Sequence, residues 1–148
     1  MNLVDFIINA KKQTYAGGKS SRKLNDGFEQ FVYKEGDYRY KDKYYAKSPG
    51  LFGGEEIVWQ KKNAIWIMNY YGYIMSDKID DKKVYAFLVK AMSLVDKQRP
   101  FRGPSYFKDE DFEYIDKSEG KLDNFKGIEK ILYKGKDIYQ LEYHGGRI

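Results

Sequence analysis

The chain of 148 residues is 42% hydrophobic and 18% aromatic, with 15 Tyr, 9 Phe, one His and a formal net charge of +5. A chain of this size and apolar content buries a core instead of staying disordered. It has no Cys, which excludes disulfide frameworks, thiolate metal sites and Cys nucleophiles.

Residues 3–12 read as a helix, with Leu3, Phe6, Ile7 and Ala10 at helical spacing and Lys11 and Lys12 in a last turn where positive charge suits the helix dipole. Residues 14–27 are polar and glycine-rich and read as a loop. Apolar character resumes at 31–33, and Glu35-Gly36-Asp37 is a tight turn into a strand over 37–45. In that strand Tyr38, Tyr40, Asp42 and Tyr44 share one face, and Arg39, Lys41 and Lys43 the other. A Ser-Pro-Gly loop at 46–52 leads to a hairpin of residues 55–60 and 64–71. Val84, Phe87, Leu88, Ala91, Met92 and Val95 form an apolar stripe that predicts a helix over 79–96, with Asp80 or Asp81 as its N-cap. The turn at 99–104 ends that helix, and short strands read at 112–116, 127–133 and 137–144.

The segment 37–72 recurs weakly as 111–145. At an offset of 74, Asp37, Tyr40, Asp42, Lys43 and Lys47 meet Asp111, Tyr114, Asp116, Lys117 and Lys121. At an offset of 73, Phe52, Gly54, Glu56, Lys61, Ile65, Tyr70 and Gly72 meet Phe125, Gly127, Glu129, Lys134, Ile138, Tyr143 and Gly145. Each copy follows a helix. The pattern predicts an α+β single domain, residues 1–148, of two helix-plus-antiparallel-strand repeats with pseudo-two-fold symmetry and helices packed on antiparallel sheet. In the second copy Tyr139, Leu141 and Tyr143 alternate with polar Gln140, Glu142 and His144, so the former set faces the core. By the same parity Trp66, Met68 and Tyr70 face the core of the first copy, and Asn69 and Tyr71 the opposite side.

Among residues able to carry chemistry, His144 is the only histidine, and a lone histidine near a terminus more commonly has a surface or structural role than a catalytic one. With one His and no Cys, no metal site and no cofactor are expected. The echoed acids Asp37/Asp111, Asp42/Asp116 and Glu56/Glu129 read as turn and strand-end groups that the fold requires. Positions without an echo, Glu55, Asn69 and Tyr71, are better functional candidates. Gly17-Gly18 with Ser20, Ser21 and Arg22 has the ingredients of an anion nest but lacks the Gly-Lys-Ser/Thr end of a P-loop. Arg102 sits in a rigid turn suited to clamping a carboxylate or phosphate.

Ser21-Arg22, Glu35-Gly36-Asp37-Tyr38, Gly54-Glu55-Glu56, Trp66, Met68-Asn69-Tyr70-Tyr71-Gly72, Arg102-Gly103-Pro104 and His144-Gly145-Gly146 together resemble a bacterial domain family of unknown function. Its members occur alone or fused behind an Xre-type helix-turn-helix domain, and the resemblance covers nearly the whole chain. It implies no particular chemistry. The leading expectation is therefore a non-enzymatic module binding a small-molecule effector or a partner in an aromatic-lined site, with Tyr38, Tyr40, Glu55, Trp66, Asn69, Tyr71, Arg102 and His144 as candidates. A hydrolytic enzyme with His144 or Glu55 as base is the second reading. A nucleic-acid or protein interaction module is the third, with Lys scattered among acidic residues and no dense basic patch. No stretch approaches the roughly 20 apolar residues of a membrane span, and the N-terminus lacks the basic start and cleavage site of a secretory signal, so no membrane partner and a cytoplasmic location are expected.

Overall fold

The computed structural model describes residues 1–47 and 50–148; Ser48 and Pro49, in the loop expected at 46–52, lie outside the described residues. Helix α1 (Leu3–Lys12) starts where the Asn2 side chain accepts a hydrogen bond from the Asp5 amide at 2.9 Å, and its apolar stripe is buried. Helix α2 (Asp81–Met92) starts at Asp80, whose carboxylate accepts from the Lys82 amide at 3.0 Å. It is shorter than the expected 79–96 because the chain leaves the helix after Ser93, although Val95 remains buried.

A 3-10 turn (Tyr15–Gly17) and nine strands complete the described fold: β1 (Arg22–Lys23), β2 (Glu29–Glu35), β3 (Tyr38–Lys47), β4 (Leu51–Gln60), β5 (Asn63–Ile74), β6 (Tyr106–Asp109), β7 (Phe112–Lys121), β8 (Asn124–Tyr133) and β9 (Lys136–Arg147). They form one antiparallel sheet in the order β1-β2-β3-β4-β5-β9-β8-β7-β6. The short edge strands β1 and β6 do not appear as strands in the alternation of the sequence. Tight hairpins place Lys61, Glu110 and Lys134 in the left-handed region, at φ of 56°, 52° and 49°. Register shifts occur at Val58/Trp59 and at Ile131/Leu132.

The expected α+β arrangement of two helix-plus-strand repeats with pseudo-two-fold symmetry is corrected by this topology. The chain is mostly one continuous nine-stranded sheet, because β5 hydrogen-bonds to β9 from Trp66↔Arg147 to Ile74↔Tyr139. The two helices, of 10 and 12 residues, do not each cover a strand set of their own. Phe6, Ile7 and Ala10 of α1 and Val84, Leu88 and Ala91 of α2 instead join Tyr40, Val58, Trp66, Met68, Tyr114, Ile131, Tyr139 and Leu141 in one shared hydrophobic cluster. No helix is long and apolar enough to cross a membrane among the described residues.

Candidate functional site

Within that apolar core lie four carboxylates. Asp42 in β3 stands directly opposite Glu56 in β4, and Asp116 in β7 stands opposite Glu129 in β8. All four are buried. A buried charge is tolerated only when it is paired and hydrogen-bonded, and each pair has its own partners. Lys11 reaches from the last turn of α1 to form an ion pair with Glu56, and the Tyr70 hydroxyl donates to Asp42 Oδ1 at 2.5 Å. Arg102, from the loop after α2, donates from Nε and Nη2 to the two oxygens of Glu129 at 3.1 and 2.9 Å. The hydroxyls of Tyr114 and Tyr139 donate to the same carboxylate at 2.5 and 2.8 Å. Tyr143 donates to Asp116 Oδ1 at 2.8 Å, and Arg99 Nη2 lies 3.3 Å from that oxygen.

Two glycines let the phenols reach. Gly54 lies opposite Tyr70 and Gly127 opposite Tyr143 across their ladders. A Cβ at Gly54 would stand 2.5 Å from the Tyr70 hydroxyl, and one at Gly127 would stand 2.2 Å from the Tyr143 ring. Each Tyr thus lies across a bare backbone to touch an acid two strands away.

Burial pushes the Asp42 carboxyl up to about 7, with Glu56 adding to the effect and the Tyr70 hydrogen bond and the charges of Lys11 and Arg102 opposing it. Burial likewise raises Asp116 to about 7, reinforced by Glu129 and opposed by Tyr143, Arg99 and Arg102. Desolvation pulls the Lys11 ammonium below its ordinary value against the attraction of Glu56. For Arg102, burial acts to lower the guanidinium, but Glu129 and the surrounding phenols outweigh it and hold it well above the ordinary value. Strongly perturbed groups beside a cavity are where binding or catalysis is to be sought.

Such a cavity, of about 220 Å³, opens beside Asp42. Its walls are the rings of Tyr15, Tyr44, Phe52, Tyr70 and Tyr85, its rim includes the exposed Ala46, and its polar groups are Asp42 and Arg102. Phe52 fixes the wall by packing edge-on against Tyr85 and stacking with Tyr139, at centroid separations of 5.9 and 6.1 Å. A larger depression of about 860 Å³ lies over β7, β8 and β9, where charged side chains such as Lys117, Lys126, Lys130 and Glu142 are mixed with Ile115, Ile128 and Leu132, and His144 is among its lining residues.

The candidates named from the sequence fall on both sides of the sheet. Tyr40 and Trp66 are inside the core, and Trp66 stacks on Phe125 at 5.7 Å. Tyr38 is half-buried and stacks on Phe6 at 4.9 Å. Arg102 alone of the eight lines the aromatic cavity. Glu55, Asn69 and His144 are cross-strand neighbours on the opposite face, and Tyr71 shares that face. His144 is exposed, with Asn69 and Lys126 as its partners across the two ladders. Arg22 is exposed on β1, opposite Gln30.

The echoed acids are the main correction. Asp42, Glu56, Asp116 and Glu129 do not sit at turns or strand ends; they are mid-strand and buried. A signal for this is present in Tyr40-x-Asp42 and Tyr114-x-Asp116, where an acid two residues from an inward-facing Tyr shares its face. Lys11 had none, since a cation in a last helical turn reads as a solvated dipole partner. Tyr15 and Tyr85 lie far apart in sequence and meet only through the fold. Among the described residues, no group of three or more His, Asp or Glu side chains could hold a metal ion.

Residues 42–148 match the family model of a domain of unknown function, DUF5680. No curated protein and no solved structure matches the chain. All four buried acids, Arg102 and most of the cavity wall fall within the matched segment, whereas Lys11 and Tyr15 precede it.

Proposed function

The chain belongs to the DUF5680 family, whose model spans residues 42–148, and from the geometry of its cavity we propose that it is a non-enzymatic module binding one small molecule between aromatic walls. The observation that carries this reading is the cavity itself: five aromatic rings converging on a single carboxylate and a single guanidinium. Pockets for drug-sized ligands run to roughly 300–1,000 Å³, so a space of about 220 Å³ suits a smaller molecule. The engagement of the polar groups favours binding over turnover. Asp42 already accepts from Tyr70, and Arg102 is held by both oxygens of Glu129, so neither is poised as a free base or nucleophile.

A fragment library screened by NMR against the labelled protein tests the reading. Bound fragments are expected to shift the side-chain resonances of Tyr44, Phe52, Tyr70 and Tyr85. Ala46→Trp, which fills the cavity from an exposed rim position, is expected to abolish those shifts while leaving the rest of the spectrum intact. Fragments that bind only elsewhere, or bind Ala46→Trp equally well, would remove the cavity from consideration.

A further inference from the structure

The charges around the cavity do not balance. Asp42, Glu56, Asp116 and Glu129 are four carboxylates, and Lys11, Arg99 and Arg102 are the three cations paired with this group. If all seven groups are ionised, the cluster is one positive charge short. The shortfall falls at Asp42: Lys11 is paired with Glu56 and Arg102 with Glu129, whereas the contact to Asp42 comes from the neutral Tyr70 hydroxyl. Asp42 is also the acid that lines the cavity.

The remaining walls suit the missing charge. The negative face of an aromatic ring attracts a cation, and more strongly where water is excluded. Tyr70 already receives one, with the Arg102 guanidinium carbon 5.4 Å from its ring centroid. Tyr44, Phe52 and Tyr85 offer further rings around the same space. An anion placed there would deepen the deficit of positive charge, and a neutral ligand would leave it in place.

Resting on the cavity being a ligand site, we propose that its ligand is a small organic cation, an alkylammonium or quaternary ammonium group, seated with its charge against Asp42 and its alkyl surface against the aromatic walls. Binding is then linked to protons. The groups facing Asp42 are Tyr40 and Tyr44 from β3 itself, Glu56 from β4, Tyr70 from β5, Lys11 from α1 and Arg102 from the loop after α2. With Asp42 half-protonated at about 7, a cation that requires the ionised form binds roughly tenfold more tightly at pH 8 than at pH 6.

The test uses tetramethylammonium chloride and its uncharged near-isostere tert-butyl alcohol, titrated by NMR at pH 6 and pH 8. Tetramethylammonium is expected to shift the cavity rings, to bind at least about tenfold more tightly than the alcohol at pH 8, and to weaken at pH 6. Asp42→Asn is expected to remove both the preference and the pH dependence while keeping alcohol binding, which also reports that the variant is folded. If that variant does not fold, the pH dependence in the unaltered protein carries the test. Equal or tighter binding of the alcohol, with no pH dependence, overturns the cation inference and leaves the small-molecule reading standing. Failure of both probes to shift any cavity ring overturns the cation inference; if the fragment screen also finds nothing there, the small-molecule reading falls with it.

Discussion

Asp42 with Glu56, and Asp116 with Glu129, occupy matching register positions on two pairs of neighbouring strands, and in each pair the Asp is reached by a Tyr lying across a glycine. The surroundings then diverge. Around Asp116 and Glu129, two arginines and three phenols supply donors, and Glu129 alone accepts from Arg102, Tyr114 and Tyr139. Around Asp42 and Glu56, among the described residues, there is one lysine, no arginine pair, and the phenols of Tyr70 on Asp42 and Tyr40 beside Glu56, and a cavity opens next to Asp42. The same backbone frame thus gives a closed polar core on one side and a site on the other. Two arginines from the loop after α2 on one side, against one lysine from α1 on the other, make much of the difference.

The largest effects are expected from removing a buried cation. Arg102→Ala leaves Glu129 buried with phenols as its only donors, and is expected to cost about 3–5 kcal/mol in urea denaturation. Lys11→Ala, which likewise strips a buried carboxylate, Glu56, of its cation, is expected to cost a similar amount. The next largest effect is pH dependence. Both aspartates are raised to about 7, so the folded state holds protons that the unfolded chain has lost. Their contribution to stability is complete below the ordinary carboxylate range and is lost as pH rises through about 7. Unfolding free energy is expected to fall by about 1.4 kcal/mol per pH unit for each aspartate between pH 5 and 6. Asp42→Asn and Asp116→Asn should each remove about half of that slope. A slope that is flat or rises with pH would contradict the arrangement.

Gly54→Ala and Gly127→Ala sharpen the comparison at the level of packing. Each places a Cβ inside the space of the crossing Tyr, and each is expected to cost about 1–3 kcal/mol, read as a lower denaturation midpoint. Gly54→Ala should be the worse of the two, since its Cβ also meets the Lys43 carbonyl oxygen and the Tyr44 Cβ at 2.6 Å, whereas the Gly127 clash is with the Tyr143 side chain. The smallest effects belong to the opposite face. Tyr71→Ala and His144→Ala, both at exposed positions, are expected to change stability by no more than about 0.5 kcal/mol and to leave fragment binding in the cavity unaltered.

Much of the strand layout was legible in the sequence because alternation has a strict period. Trp66, Met68 and Tyr70 point inward with Tyr139, Leu141 and Tyr143, as their spacing requires. The sheet order was not legible. Nothing in β5 or β9 separately announces that each is the other's neighbour, and that pairing is what merges the strands into one sheet. At the site, Arg102 stood out by its rigid turn, while the acids were discounted because echoed positions suggested scaffold. That inference fits Glu129, which is fully enclosed by donors, and misplaces Asp42, whose surroundings are set by Tyr15, Tyr44 and Tyr85 from distant segments. Residues lacking an echo, Glu55, Asn69 and Tyr71, lie on the other face of the sheet from the cavity.

The difference between the two acid pairs is tested most directly by following the side-chain carboxyl carbons of Asp42 and Asp116 by NMR across a pH titration, with and without saturating tetramethylammonium. In the free protein both are predicted to titrate near 7. With the cation present, Asp42 is predicted to move down and Asp116 to stay. Ordinary titration near 4 for both aspartates, or an equal response of the two to the cation, would contradict it.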